Sequence, residues 1–276
     1  MKKLLTVTAL SSCLVLGLYA QTPTKTEAPT TQSVNQSANV INLAGKQRML
    51  TQKMSKELLM IAKGINVEKN KKELQKTMAL FDKTLKGLIE GDKSLNLPAT
   101  QNKEILEQLK VVSNLWESFK KSIEAKDLQK VAQQNLPLLK NMNKAVGMFA
   151  KQSGSKLSPE MADTINRAGK QRMLTQKMTK ELLLIANGID VEKNRENIKK
   201  TAELFEKTLN DLIAKCKDDK IKAQLEVVSK IWAEYAPIIK NVDTSESALK
   251  KADELNMTLL KNMNKAVKMY EASANK

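Results

Sequence analysis

Arg48 and Arg172 each stand three residues after a glycine, Gly45 and Gly169, in runs whose composition is that of helices. Neither has an acidic residue at i±3 or i±4 to pair with. A glycine in mid-helix costs about 1 kcal/mol relative to alanine, so it has a packing or a functional reason. The reason read here is contact. A bare Cα lets a second backbone approach closely, and the arginine one turn on then sits in the crevice between two helices. There its planar fork of donors suits a small planar anion. The competing reading of both arginines is a solvated helix face.

The rest of the composition narrows the chemistry. There is no histidine, and the 2 cysteines are Cys13 and Cys216. With Cys13 inside a leader that is removed, a His/Cys zinc site, a c-type haem motif, an intramolecular disulfide and a Ser-His or Cys-His nucleophile are all excluded. What remains is carboxylate or lysine chemistry, for which no clustered pair is visible, so the chain does not read as an enzyme and no cofactor or metal is expected. Cys216, between Lys215 and Lys217, reads as an unpaired surface thiol. The formal charge of +17 admits nucleic acid, anionic lipid or an anionic ligand as partner, or simply solvated lysines on outer helix faces. Export and an aromatic content of 3% argue against nucleic acid.

The stretch around each arginine occurs twice. At an offset of 124, residues 41–70 agree with 165–194 at 25 of 30 positions. On a helix, Leu50, Met54, Leu58, Ile61 and Ile65 form an apolar stripe facing a core. Ile41, Gly45, Arg48, Met49, Gln52 and Leu59 lie on roughly the opposite face, too apolar for plain solvent.

The string Ile-Asn-x-Ala-Gly-x-x-Arg-Met, followed shortly by a basic residue, resembles the P-box of NarX-type nitrate/nitrite sensors and of the PilJ-type domain found at the N-terminus of pilus-linked and nitrate-responsive chemoreceptors. The resemblance implies a periplasmic four-helix bundle that dimerises through its P-box helices, where paired arginines and nearby backbone hold nitrate or nitrite. It transfers that role to Asn42, Gly45, Arg48 and Met49 in the first copy and to Asn166, Gly169, Arg172 and Met173 in the second. It covers about a dozen residues per copy. One departure concerns the choice of anion: NarX-type proteins carry a second arginine where this chain has Lys53 and Lys177.

Lys2 and Lys3 before the apolar run Leu4–Ala20 read as a secretory signal over 1–20, cut after Ala20. A lipobox ending at Cys13 and an uncleaved anchor are the minority readings. Residues 21–37, rich in Thr, Gln, Ser and Pro, read as a flexible tether. Two PilJ-type four-helix domains then follow, over 38–152 and 158–274. Expected core positions include Leu74, Met78, Phe81, Leu85 and Leu88 in the second helix and Leu136, Leu139, Met142 and Val146 in the fourth, which Pro137 could kink. Trp116 and its repeat Trp232 read as core.

The fold expected is all-α: two tandem antiparallel four-helix bundles. Four antiparallel helices return the chain to its starting end, and the short junction at 152–157 lets the first and fifth helices start side by side. The chain can thus fold on itself as an intrachain pseudo-dimer with Arg48 opposite Arg172. A rod of end-to-end bundles, each pairing with another chain, is the variant. Two functions follow. The first is a periplasmic sensor-type protein for a small inorganic anion, nitrate or nitrite, without its own signalling module, acting through a membrane-bound sensor or chemoreceptor. The second is a helical interaction module docking on a membrane receptor or pilus component without ligand.

Overall fold

A computed structural model describes residues 31–274. The expected signal segment, Cys13 and the first part of the expected tether lie outside the described residues. Among the described residues the architecture is all-α, with eight α-helices: α1 (Thr31–Ala62), α2 (Val67–Glu90), α3 (Lys103–Glu124), α4 (Leu128–Gln152), α5 (Pro159–Ala186), α6 (Val191–Lys215), α7 (Asp219–Lys240) and α8 (Glu246–Ser273). Helix α1 begins at Thr31, so the tether expected over 21–37 gives way to helix seven residues before the expected start at 38.

Most helix starts are set by side chains that accept from orphan backbone N–H groups. Asn102 caps α3, Asp127 α4, Asp218 α7 and Ser245 α8, while Ser158 caps α5 with Pro159 in its first turn. The turn after α2 depends on Gly91, whose φ of 86° and ψ of 151° lie where L side chains are strained. A Cβ there would also stand 2.9 Å from the backbone nitrogen of Ala99. Gly91→Ala should therefore destabilise the chain by about 2 kcal/mol. A lowered urea midpoint at unchanged slope would show it, and an unchanged midpoint would refute it.

Six helices behave as the periodicity requires. In α2, Leu74, Phe81, Leu85 and Leu88 are buried and Met78 is half-buried. Trp116 and Trp232 are core residues, packed at a tilt with ring centroids 4.5 Å from Phe81 and 4.9 Å from Phe205. In α4 the expected stripe needs correction: Leu136 is 43% exposed, and Leu138 takes the inward place beside Leu139, Met142 and Val146. Leu136 stands two residues, about 200° of rotation, from Leu138, so only one of them can face the core. The helix runs through Pro137 as a single element.

The two central helices depart from the two-faced picture. From Met49 to Met60 every residue of α1 is buried, including Gln52, Lys53, Lys56 and Glu57, and α5 is nearly the same. The reason is tertiary. α1 is wrapped by α2 and α4 of its own half and by α5 and α8 of the other, and α5 by α6, α8, α1 and α4. α1 packs more extensively on α5 than on any other helix.

These two helices run side by side in the same direction. Asn135 of α4 donates to the Thr51 carbonyl and Ser55 Oγ of α1 and accepts from Lys180 Nζ of α5, which levels residue 180 with 51–55. Arg172 reaches the Asn42 carbonyl, so both helices progress together from that point. The halves are thus related by a pseudo-two-fold between α1 and α5, the arrangement that the short junction allows.

Candidate functional site

The centre of the α1–α5 seam is the glycine pair. A Cβ built on Gly45 would lie 3.3 Å from Arg48 Nη2 and 3.7 Å from Arg172 Nη2; one on Gly169 would lie 3.3 Å from Arg172 Nη2 and 3.6 Å from Arg48 Nη2. Both guanidiniums therefore occupy the space that the two missing side chains leave. Long helical side chains lean toward their own N-terminus, which brings each arginine back over the glycine three residues earlier.

Each guanidinium ties its own half to the other. Arg48 donates from Nη1 to Asn143 Oδ1 of α4 (2.8 Å) and from Nη2 to the Asn166 carbonyl of α5 (3.2 Å). Arg172 donates from Nη1 to Asn264 Oδ1 of α8 (2.8 Å) and from Nη2 to the Asn42 carbonyl of α1 (3.0 Å). Both side chains are 1% exposed, and both Nε–H groups lack a partner. Among the described residues neither arginine forms an ion pair; all four acceptors are neutral.

Buried charge without a counter-ion shows in the proton affinities. Burial, with Arg172 nearby, pushes Arg48 down to about 9, and burial pushes Arg172 down to about 10, opposed by Glu271. Lys46 and Lys170, on the same turn as the glycines, are also lowered, chiefly by burial and then by Arg172 and Arg48 respectively.

The pseudo-symmetry is incomplete. Asn42 Nδ2 donates to Glu271 Oε2 of α8 at 2.5 Å, and burial raises that carboxyl above its ordinary range. The corresponding place in α4 is Ala150, and the Oδ1 atoms of both Asn42 and Asn166 are buried without partners.

The structure thus brings together Asn42, Gly45, Arg48, Asn166, Gly169 and Arg172. Met49 and Met173 are buried in the hydrophobic core one position on. Lys53 and Lys177 turn away from the seam: Lys53 Nζ binds Glu57, Glu73 and Thr77, and Lys177 binds Glu181 and Thr201. Asn143 and Asn264 escaped the sequence reading as site residues. Their signal was the string Asn-Met-Asn-Lys-Ala-Val, present at both 141–146 and 262–267.

Residues 30–143 and 156–258 match the family described as the type IV pili methyl-accepting chemotaxis transducer N-terminal domain, PilJ. The methyl-accepting chemotaxis protein McpN of Pseudomonas aeruginosa is 27% identical over 153 residues, 53% of this chain and 26% of that protein. The chain therefore spans about a quarter of the length of that relative. The family match takes in α1 to most of α4 and α5 to half of α8, including both glycine–arginine turns, and on that extent this chain belongs to the PilJ family of chemotaxis-transducer N-terminal domains.

Proposed function

We propose that this chain binds a small planar oxyanion, nitrate or nitrite, between Arg48 and Arg172, as the sensing element of a periplasmic system read by a membrane-bound chemoreceptor. In this reading each four-helix half is one copy of the PilJ-type domain, and the α1–α5 seam does within one chain what a dimer interface does between two. The supporting observation is the pair of guanidiniums, 1% exposed, converging on the glycine-floored space with only neutral acceptors. Each guanidinium carries five N–H donors, and the bonds described use two of them. A bound anion would take up the free donors and neutralise charge in a setting of low effective dielectric, where that matters most. Asn42 and Asn166, with their unpartnered Oδ1 atoms, would orient the rim.

Thermal melting in nitrate against equal chloride tests this. One anion per chain should bind, and at a hundredfold excess over Kd it should add about 2.7 kcal/mol, a rise of several degrees. Arg48→Lys keeps the charge and removes the fork, so most of the nitrate-specific rise should vanish. Arg48→Ala is less clean, because it also leaves Asn143 Oδ1 without its donor. Gly45→Ala, which would displace Nη2, should weaken nitrate binding in the same direction. Equal stabilisation by nitrate and chloride would show screening alone and defeat the proposal.

A second reading is favoured by the two arginine bonds that already cross the seam, Arg48 to the Asn166 carbonyl and Arg172 to the Asn42 carbonyl: the arginines clamp the halves and the chain is an interaction module. Arg48→Lys would then lower the melting temperature with or without nitrate.

A further inference from the structure

A second feature lies outside the arginine seam. α8 packs on α1 without closing against α2, and the gap is a groove of ≈ 520 Å³. Its floor and walls are Met49, Leu50, Leu80, Met257 and Leu260. Lysines 46, 53, 76 and 261 stand around it, with Glu73 the one carboxylate in the lining. Glu73 is shared by Lys53 and Lys76, at 3.2 and 3.1 Å. Lys46 and Lys261 form no ion pair among the described residues, so the groove keeps excess positive charge beside an apolar bed.

We propose that this groove is a binding site for an amphiphilic monocarboxylate, an aliphatic or aromatic acid whose body lies on the Met49–Leu80–Met257 bed and whose carboxylate meets Lys46 and Lys261. The volume is that of a small-molecule pocket, about 300–1,000 Å³. The stretches lining it, 46–53 of α1, 73–80 of α2 and 257–264 of α8, each span about 10 Å of helix axis. That is two turns, too short for a docked helix to bury the roughly 800 Å² per partner of a stable protein interface. Lysine stems add apolar contact while their ammonium groups stay at the rim. The lowered proton affinity of Lys46 agrees with a cation in want of a counter-charge. The groove shares a wall with the anion seam, since Asn264 lines it and accepts from Arg172, but the proposal does not rest on nitrate binding.

Titration calorimetry with decanoate below its micelle concentration, against decanol and acetate, tests the site. Decanoate should bind saturably at one site, with the headless and tail-less controls weaker by about tenfold or more. Lys76→Glu with Lys261→Glu, both exposed, should weaken decanoate about tenfold and leave the nitrate-dependent melting shift intact. Lys110→Glu with Lys121→Glu on α3 makes the same change of net charge away from the groove and should bind decanoate as the wild type does. Unsaturable binding, equal loss in both double variants, or full binding by the groove variant would each overturn the proposal. Loss of nitrate response with decanoate binding retained would instead strike the seam reading alone.

Discussion

Asp253→Asn should lower stability by about 3–5 kcal/mol, because it strands a buried lysine in the seam. Asp253 of α8 accepts from Lys56 Nζ of α1 at 2.8 Å with one oxygen, and with the other from Lys69 Nζ at 2.9 Å and Asn66 Nδ2 at 3.2 Å. Lys56 and Asp253 are both buried, and the bond joins the two halves. Lys56 and Lys69 hold the Asp253 carboxyl at about 2 against its opposing burial, below the ordinary 3.8. A carboxyl whose proton affinity is depressed in the fold contributes stability that is complete above the unfolded value and is lost as pH falls. The loss therefore lies between about pH 4 and pH 2 and amounts to about 2 kcal/mol from this group. Urea unfolding at pH 7 and pH 2.5 measures both effects. The variant should lose stability at pH 7 and be less sensitive to acid than the wild type. Glu246→Gln, which breaks an exposed pair with Lys250, should leave stability nearly unchanged. Equal effects of the two substitutions would show that the Lys56–Asp253 pair does not hold the seam.

Lys180→Met should do the opposite and stabilise the protein by about 2 kcal/mol. Lys180 is the counterpart of Lys56 at the 124-residue offset, and the position matching Asp253 is Ala132. Asp190, in the place of Asn66, pairs instead with Lys193 in solvent at 3.9 Å. Lys180 is left with Asn135 Oδ1 at 3.1 Å, and burial pulls its amine down to about 8 from 10.5, with Glu181 opposing the fall. Holding that amine charged costs about 3 kcal/mol at neutral pH, from which about 1 is deducted for the hydrogen bond that methionine would forfeit. The sign differs from Asp253. A lysine whose proton affinity is lowered by folding destabilises the fold fully below pH 8, and the penalty lifts as pH rises toward 10.5. The wild type should gain stability across pH 8–10, and Lys180→Met should reduce that rise, leaving the part due to Arg48, Lys46 and Lys170. Ala132→Asp, which restores the carboxylate of the other half, should also stabilise at pH 7. A Lys180→Met variant less stable than the wild type at pH 7 would mean that the amine is better compensated than its one neutral partner suggests.

The duplication, the eight helices and their order were legible in the sequence because each rests on local signals: a near-verbatim string at 41–54 and 165–178, capping residues at 102, 127, 158, 218 and 245, and stripes such as Leu74–Phe81–Leu85–Leu88. The glycine–arginine spacing also pointed to two backbones in close approach, since a bare Cα has few other uses in mid-helix. What the sequence could not decide is which helix touches which. α1 and α5 are weakly amphipathic because they are buried all round, and a helix enclosed on every side has no solvent face for periodicity to reveal. Leu136 and Leu138 are equally apolar, and only the packing of α4 against its neighbours turned one outward. Asn143 and Asn264 reach the arginines, Glu271 reaches Asn42, and Asp253 reaches Lys56, from helices far along the chain. Polar residues carry no periodic signal for such pairings. The sequence by itself determined the elements and the two cations; tertiary structure decided that both cations share one dry space, because only the seam between the halves removes water from both at once.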